Sequence, residues 1–137
     1  MSRIFRGIGI VEGIGEGEAL VSRTPIAFNL GVDERTGVVV EKGHELESRS
    51  VAGKILLFPG GKGSTASSFS LLQLAARDLA PRALVNVQTD AIVVAGAVLA
   101  KIPLVHRCAP DILQTVKTGD PVRVDGSAGT VTILGDD

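Results

Sequence analysis

Residues 55–69 leave the chain few ways to fold. Ile55, Leu56, Leu57 and Phe58 form an unbroken apolar run of strand length. Pro59, Gly60, Gly61, Lys62 and Gly63 interrupt it, and from Ser64 onward a helix-like apolar pattern begins. A strand without alternation is one covered on both faces. A Gly-rich turn from such a strand into a helix leaves backbone N–H groups unpaired, and the helix dipole adds partial positive charge there. That turn can hold an anion, and Ser64 is placed to touch what is held.

The same pattern then repeats. Phe69, Leu72, Ala76 and Leu79 fall at helical spacing, with Leu71 and Ala75 beside them and Arg77 and Asp78 on the other face. Pro81 stops this helix, and residues 83–87 read as the next buried strand. Gln88, Thr89 and Asp90 supply cap-type residues. Residues 91–100 are nearly all apolar, which predicts a helix buried on most sides, and 102–105 return as a strand. Strand, helix, strand, helix, strand implies parallel strands joined by right-handed crossovers.

The two ends read as β-rich. Residues 4–11 and 18–22, joined through a Gly/Glu turn, predict an N-terminal hairpin. Residues 24–33 look irregular and 37–41 predict a short strand. A short helix over 111–116 precedes a hairpin, 121–125 and 130–134, around the turn at 126–129. This hairpin is expected to pack with the N-terminal strands as a second β layer. The expected fold is α/β in three layers, with a short parallel α/β centre and flanking hairpins.

A length of 137 residues predicts one domain over 1–137. With four Phe and neither Tyr nor Trp, its core must be aliphatic. A formal net charge of −1 and no basic stripe argue against nucleic acid as a partner. The single cysteine, Cys108, excludes an internal disulfide and any self-contained iron–sulfur or Cys-type zinc site. No leader pattern opens the chain and no apolar run approaches about 18 residues, so a soluble cytoplasmic protein away from membranes is expected.

Several chemistries compete for the turn at 60–68. A nucleotide P-loop needs G-x-x-x-x-G-K-[ST], whereas here Lys62 precedes Gly63 and Ser64. The glycines at 7, 9, 13, 15 and 17 do not form a dinucleotide fingerprint, because the required strand before and helix after are missing. A serine hydrolase needs a histidine partner, and His106 is the lone candidate far along the chain. His44, beside Glu45 and Glu47, reads as a solvated loop histidine in preference to a metal ligand. Two readings stay open: a purely structural turn, or a substrate-contacting one. In the second, backbone amides, Thr65 and Ser67 or Ser68 bind an acid group while Ser64 takes part in proton transfer.

The run Gly61-Lys62-Gly63-Ser64-Thr65-Ala66-Ser67-Ser68, with Lys54-Ile55-Leu56-Leu57-Phe58 before it, resembles the small subunit of the aconitase X family. So does the run from Ala91 through Gly96 to Lys101-Ile102-Pro103-Leu104-Val105. Arg6-Gly7 through Ser22, Gly31-Val32-Asp33 and Gly43-His44-Glu45-Leu46 extend the likeness over nearly the whole chain. Ordinary aconitases and isopropylmalate isomerases carry a related turn with an arginine after paired serines. Thr65 and Ala66 stand there instead.

The resemblance implies a swivelling β/β/α domain that caps the active site of a larger subunit. It implies a hydro-lyase that removes water from a small hydroxy acid. The expected reaction is (R)-5-phosphomevalonate to trans-anhydromevalonate 5-phosphate, in isoprenoid biosynthesis, with a cis-3-hydroxy-L-proline substrate as the alternative. The family role of Ser64 is proton acceptor, with Lys62, Gly63, Thr65, Ser67 and Ser68 as substrate-binding candidates. No cofactor is expected on this chain itself, an iron–sulfur cluster being expected on the large subunit. Lys62, Arg82 and Arg107 are candidates to hold a phosphate, although solvation is the commoner role of such residues. The segment ending Lys101-Ile102-Pro103-Leu104 also resembles the phosphohistidine domain of phosphoenolpyruvate-using enzymes. Ala91-Ile92 stand where its Ser-His would be, so that phosphoacceptor is absent and a non-catalytic binding module is the remaining reading.

Overall fold

Strand β4 (Ile55–Phe58) is completely buried, and its side chains alternate between two cores. Leu56 and Phe58 join one cluster with Leu20, Leu84, Leu104, Leu71 and Leu74. Ile55 and Leu57 join another with Val85, Val105, Val122, Val124 and Val131. A strand covered on both faces needs a layer on each side, which explains the missing alternation in its sequence. The computed structural model, which describes residues 3–109 and 111–135, provides those layers.

In chain order the elements are β1 (Arg3–Arg6), β2 (Ile8–Val11), β3 (Ile14–Val21), α1 (Phe28–Gly31), β4, α2 (Ala66–Ala76), β5 (Ala83–Asn86), α3 (Ala91–Ala100), β6 (Leu104–His106), α4 (Ile112–Thr115), β7 (Pro121–Asp125) and β8 (Thr130–Ile133). The strand order is β1-β8-β7-β3-β4-β5-β6-β2. The centre is parallel: Leu20 pairs with Leu56, Leu56 with Leu84, and Leu84 with Leu104. β3 belongs to both β layers. Its first part pairs antiparallel with β7, from Ile14 opposite Asp125 to Glu18 opposite Pro121, and its last residues pair parallel with β4. The three layers are thus an antiparallel sheet, a parallel sheet and the helices, the swivelling β/β/α arrangement expected. No helix among the described residues is long and apolar enough to cross a membrane.

Four local expectations are corrected. The N-terminal strands do not form a hairpin: β2 pairs with β6, β1 with β8, and β3 with β7 and β4. An open outer edge on β6 would expose a row of unpaired backbone groups, and β2 covers it. No strand forms over 37–41, where Val38 and Val39 make only isolated bridges to Ser50 and Val32. The stretch read as irregular contains α1. His44 is not solvated but 7% exposed, with Nδ1 accepting from the Leu46 N–H at 3.0 Å and Nε2 lying 3.0 Å from the Pro25 carbonyl. An Nδ1 that accepts leaves the hydrogen on Nε2, so His44 staples two loop segments together.

The helices also turn differently from their apolar patterns. α2 buries Ser67, Ser68, Ser70, Leu71 and Leu74, while Phe69 is 64% exposed. α3 buries only Val93, Gly96 and Ala97, leaving Val98 and Leu99 outside. The two helices cross closely at Gly96, where a Cβ would come within 2.7 Å of Leu71 Cδ1. Only the narrow stripe at that crossing is covered.

Candidate functional site

The carboxyl ends of parallel strands are where an open α/β sheet receives ligands, because the turns there lead into helix N-termini. β4 feeds Pro59, Gly60 and Gly61, and β5 feeds Gln88, Thr89 and Asp90. Between these turns opens a cavity of about 400 Å³. Its walls include Phe28, Gly61, Lys62 and Gly63 from one side of the sequence and Asp90 and Val93 from the other.

Ser64 follows Gly63 and is exposed. Its Oγ accepts two hydrogen bonds, from Asn29 Nδ2 and from the Ala66 N–H, each at 3.2 Å. α2 has no side-chain cap from Thr65, so the Ser64 hydroxyl is what satisfies one of its leading N–H groups. Among the described residues the N–H groups of Gly63, Ser64 and Thr65 have no hydrogen-bond acceptor. They leave the turn with donors free to meet an anion. Gly63 sits at φ +112°, and a Cβ there would come 2.7 Å from Asn29 Oδ1. Glycine is required on both counts.

The other candidates divide. Ser67 is buried but lines the cavity, and its Oγ donates to Asn29 Oδ1 at 2.9 Å. Ser68 is buried, with its hydroxyl donating to the Ile92 carbonyl at 2.7 Å, which ties α2 to α3. Thr65 is exposed, its carbonyl accepting from the Ser68 N–H. Lys62 lines the cavity with its ammonium 2.8 Å from Glu41 Oε2. Arg82 precedes β5 and Arg107 follows β6, so the fold places Arg82 at the opposite end of the parallel strands from the cavity. Sequence reasoning missed Asn29 and Glu41. Nothing local marks either one, because each reaches its partner across the fold.

Burial shifts two further titratable groups, His106 and Cys108, toward their neutral forms. Burial, aided by the charge of Arg107, lowers the pKa of His106, and its Nδ1 accepts from the Thr89 N–H at 3.3 Å. Burial pushes the Cys108 thiol up to about 11, so it is a poor nucleophile at neutral pH. Among the described residues no group of three or more His, Cys, Asp and Glu side chains could hold a metal ion.

Known proteins share this fold and much of this sequence. A family model described as the aconitase X swivel domain matches residues 4–133. The phosphomevalonate dehydratase small subunit of Methanosarcina mazei is 46% identical over 130 residues, covering 95% of this chain and 90% of that protein. The protein of the same name from Archaeoglobus fulgidus is 46% identical over 125 residues, covering 91% and 94%. The crystal structure of Thermococcus kodakaraensis aconitase X, in its holo-form, matches with a TM-score of 0.92 at 41% identity, covering 97% of this chain and 99% of that one.

Proposed function

The chain belongs to the aconitase X swivel-domain family, and on that premise we propose that it is the small subunit of a phosphomevalonate dehydratase. It would act with a larger subunit to convert (R)-5-phosphomevalonate to trans-anhydromevalonate 5-phosphate in the mevalonate route to isoprenoids. The names of its relatives support the phosphorylated substrate over a hydroxyproline. The observation that carries the chemistry is the Ser64 Oγ with two N–H donors aimed at it.

Dehydration of a β-hydroxy acid takes a proton from the carbon beside the carboxylate and releases hydroxide from the next carbon, and together these make water. A serine in water is far too weak a base for the first part. The two N–H donors and the α2 N-terminus favour the alkoxide over the alcohol. Ser64 therefore serves as proton acceptor. Lys62 and the Gly63 and Thr65 amides face the acid groups of the substrate, Lys62 exchanging Glu41 for the incoming anion. Ser67 borders the same cavity, and Ser68 acts through the α2–α3 contact.

An iron–sulfur cluster does not fit this chain's own donors. Cys108 is the single cysteine, buried and held as the thiol, with no companion ligands among the described residues. Such a cluster belongs to the larger subunit, as does the departure of the hydroxide. Leu30 and Phe69, exposed by 80% and 64% on the helices that carry Asn29 and follow Ser64, offer that subunit apolar surface to cover. The test is Ser64→Ala in the assembled enzyme. Turnover should drop by about 10²–10⁴-fold with assembly intact, and wild-type turnover would remove Ser64 from the reaction.

A further inference from the structure

Asn29 lies in α1, 35 residues before Ser64, and has no counterpart in any motif of the turn. Its carboxamide is nevertheless locked. Oδ1 accepts from the Ser67 hydroxyl at 2.9 Å, while the Asn29 backbone N–H donates to the same Ser67 Oγ at 3.3 Å. With Oδ1 fixed in this way, Nδ2 can only face Ser64 Oγ, 3.2 Å away. The platform beneath is rigid. Phe28, fully buried, meets Phe58 edge-to-face with ring centroids 5.9 Å apart. Phe58 is the last residue of β4, the strand that feeds the Ser64 turn. Both ends of the Asn29–Ser64 contact thus hang from one strand terminus.

Resting on the proton-acceptor reading of Ser64, we propose that Asn29 is the positioning residue that sets the protonation and direction of its Oγ. A serine oxygen has two lone pairs, and here the Asn29 amide and the Ala66 N–H occupy both. The hydroxyl hydrogen must then take the remaining direction, on a residue that is exposed. When that proton is lost to solvent the alkoxide keeps both donors and presents its third lone pair along the vacated direction, toward substrate. The substrate C–H proton moves onto that lone pair, and the C–H electrons remain on carbon until hydroxide leaves. Gly63 belongs to the same device, because any side chain there would displace Oδ1.

The experiment uses the assembled two-subunit enzyme with phosphomevalonate and compares Asn29→Asp, Ser67→Ala and Ser64→Ala. Asn29→Asp keeps the shape and the acceptor for Ser67, but replaces the donor at Oγ with a carboxylate oxygen. The expected result is a fall in kcat of about 10²-fold with KM changed less than about threefold. The limb of the kcat–pH profile that reports the acceptor's ionisation should move to higher pH, a shift that a loss of packing would not produce. Ser67→Ala, which unlocks the amide without adding charge, should lower kcat in the same sense by a smaller factor, and it serves if Asn29→Asp fails to assemble. A wild-type rate and pH profile in both variants, with Ser64→Ala inactive, would overturn the role of Asn29 and leave Ser64 standing. Turnover retained by Ser64→Ala would overturn the acceptor reading itself.

Discussion

Two strand–turn–helix units stand side by side in this fold, and their helix N-termini are finished differently. After β5, Asp90 caps α3: its Oδ1 accepts from the Ile92 and Val93 N–H groups at 2.9 and 3.0 Å. That carboxylate neutralises the positive end of the helix and completes a structural joint. After β4, Thr65 makes no cap, and Ser64 offers a neutral, exposed oxygen already surrounded by donors. Of two equivalent positions at the carboxyl ends of a parallel sheet, one is closed by the chain's own anion and the other is left able to stabilise a new one. The difference lies in one side chain per turn, and it marks the β4 turn as the candidate site.

Gly63→Ala attacks the open turn and should have the larger effect. The left-handed backbone and the 2.7 Å approach to Asn29 Oδ1 both oppose a methyl group. The strain amounts to about 1–3 kcal/mol of stability. Displacing the Asn29 amide should also reduce turnover of the assembled enzyme about 10²-fold, as thermal melts and steady-state kinetics would read. Near-normal turnover together with a lowered Tm would mean that the turn is only structural. Asp90→Ala attacks the closed turn and should do less. Loss of the cap costs about 1 kcal/mol, visible as a lower Tm, with turnover reduced less than tenfold. If Asp90→Ala instead matched Gly63→Ala in lost turnover, the division between the two turns would fail.

The parallel centre was legible because strands covered on both faces have continuous apolar runs, as 55–58 and 83–85 do. The β7–β8 hairpin was equally legible from its alternation and its Gly126-Ser127-Ala128-Gly129 turn. Strand partners at the N-terminus were not, since which edge β1 and β2 cover is settled by strands about a hundred residues away. The buried face of α2 was misread for a different reason. Its inward side chains include three serines satisfied by Asn29, Ile92 and Glu34, so hydropathy pointed to Phe69 and Ala76 instead. Ser64 and its glycines could be found in the sequence because the turn is contiguous. Asn29 could not, because its contact with Ser64 exists only once α1 has docked on Phe58.

A chain proposed to hold half of an active site is best tried by reconstitution. Phosphomevalonate dehydration should be measured for this chain alone, for the larger subunit alone and for the two together. Turnover is expected only in the mixture, saturating at a fixed ratio of the subunits. Dehydration by this chain alone, or by the larger subunit at the full rate without it, would rule out a site shared between the two subunits.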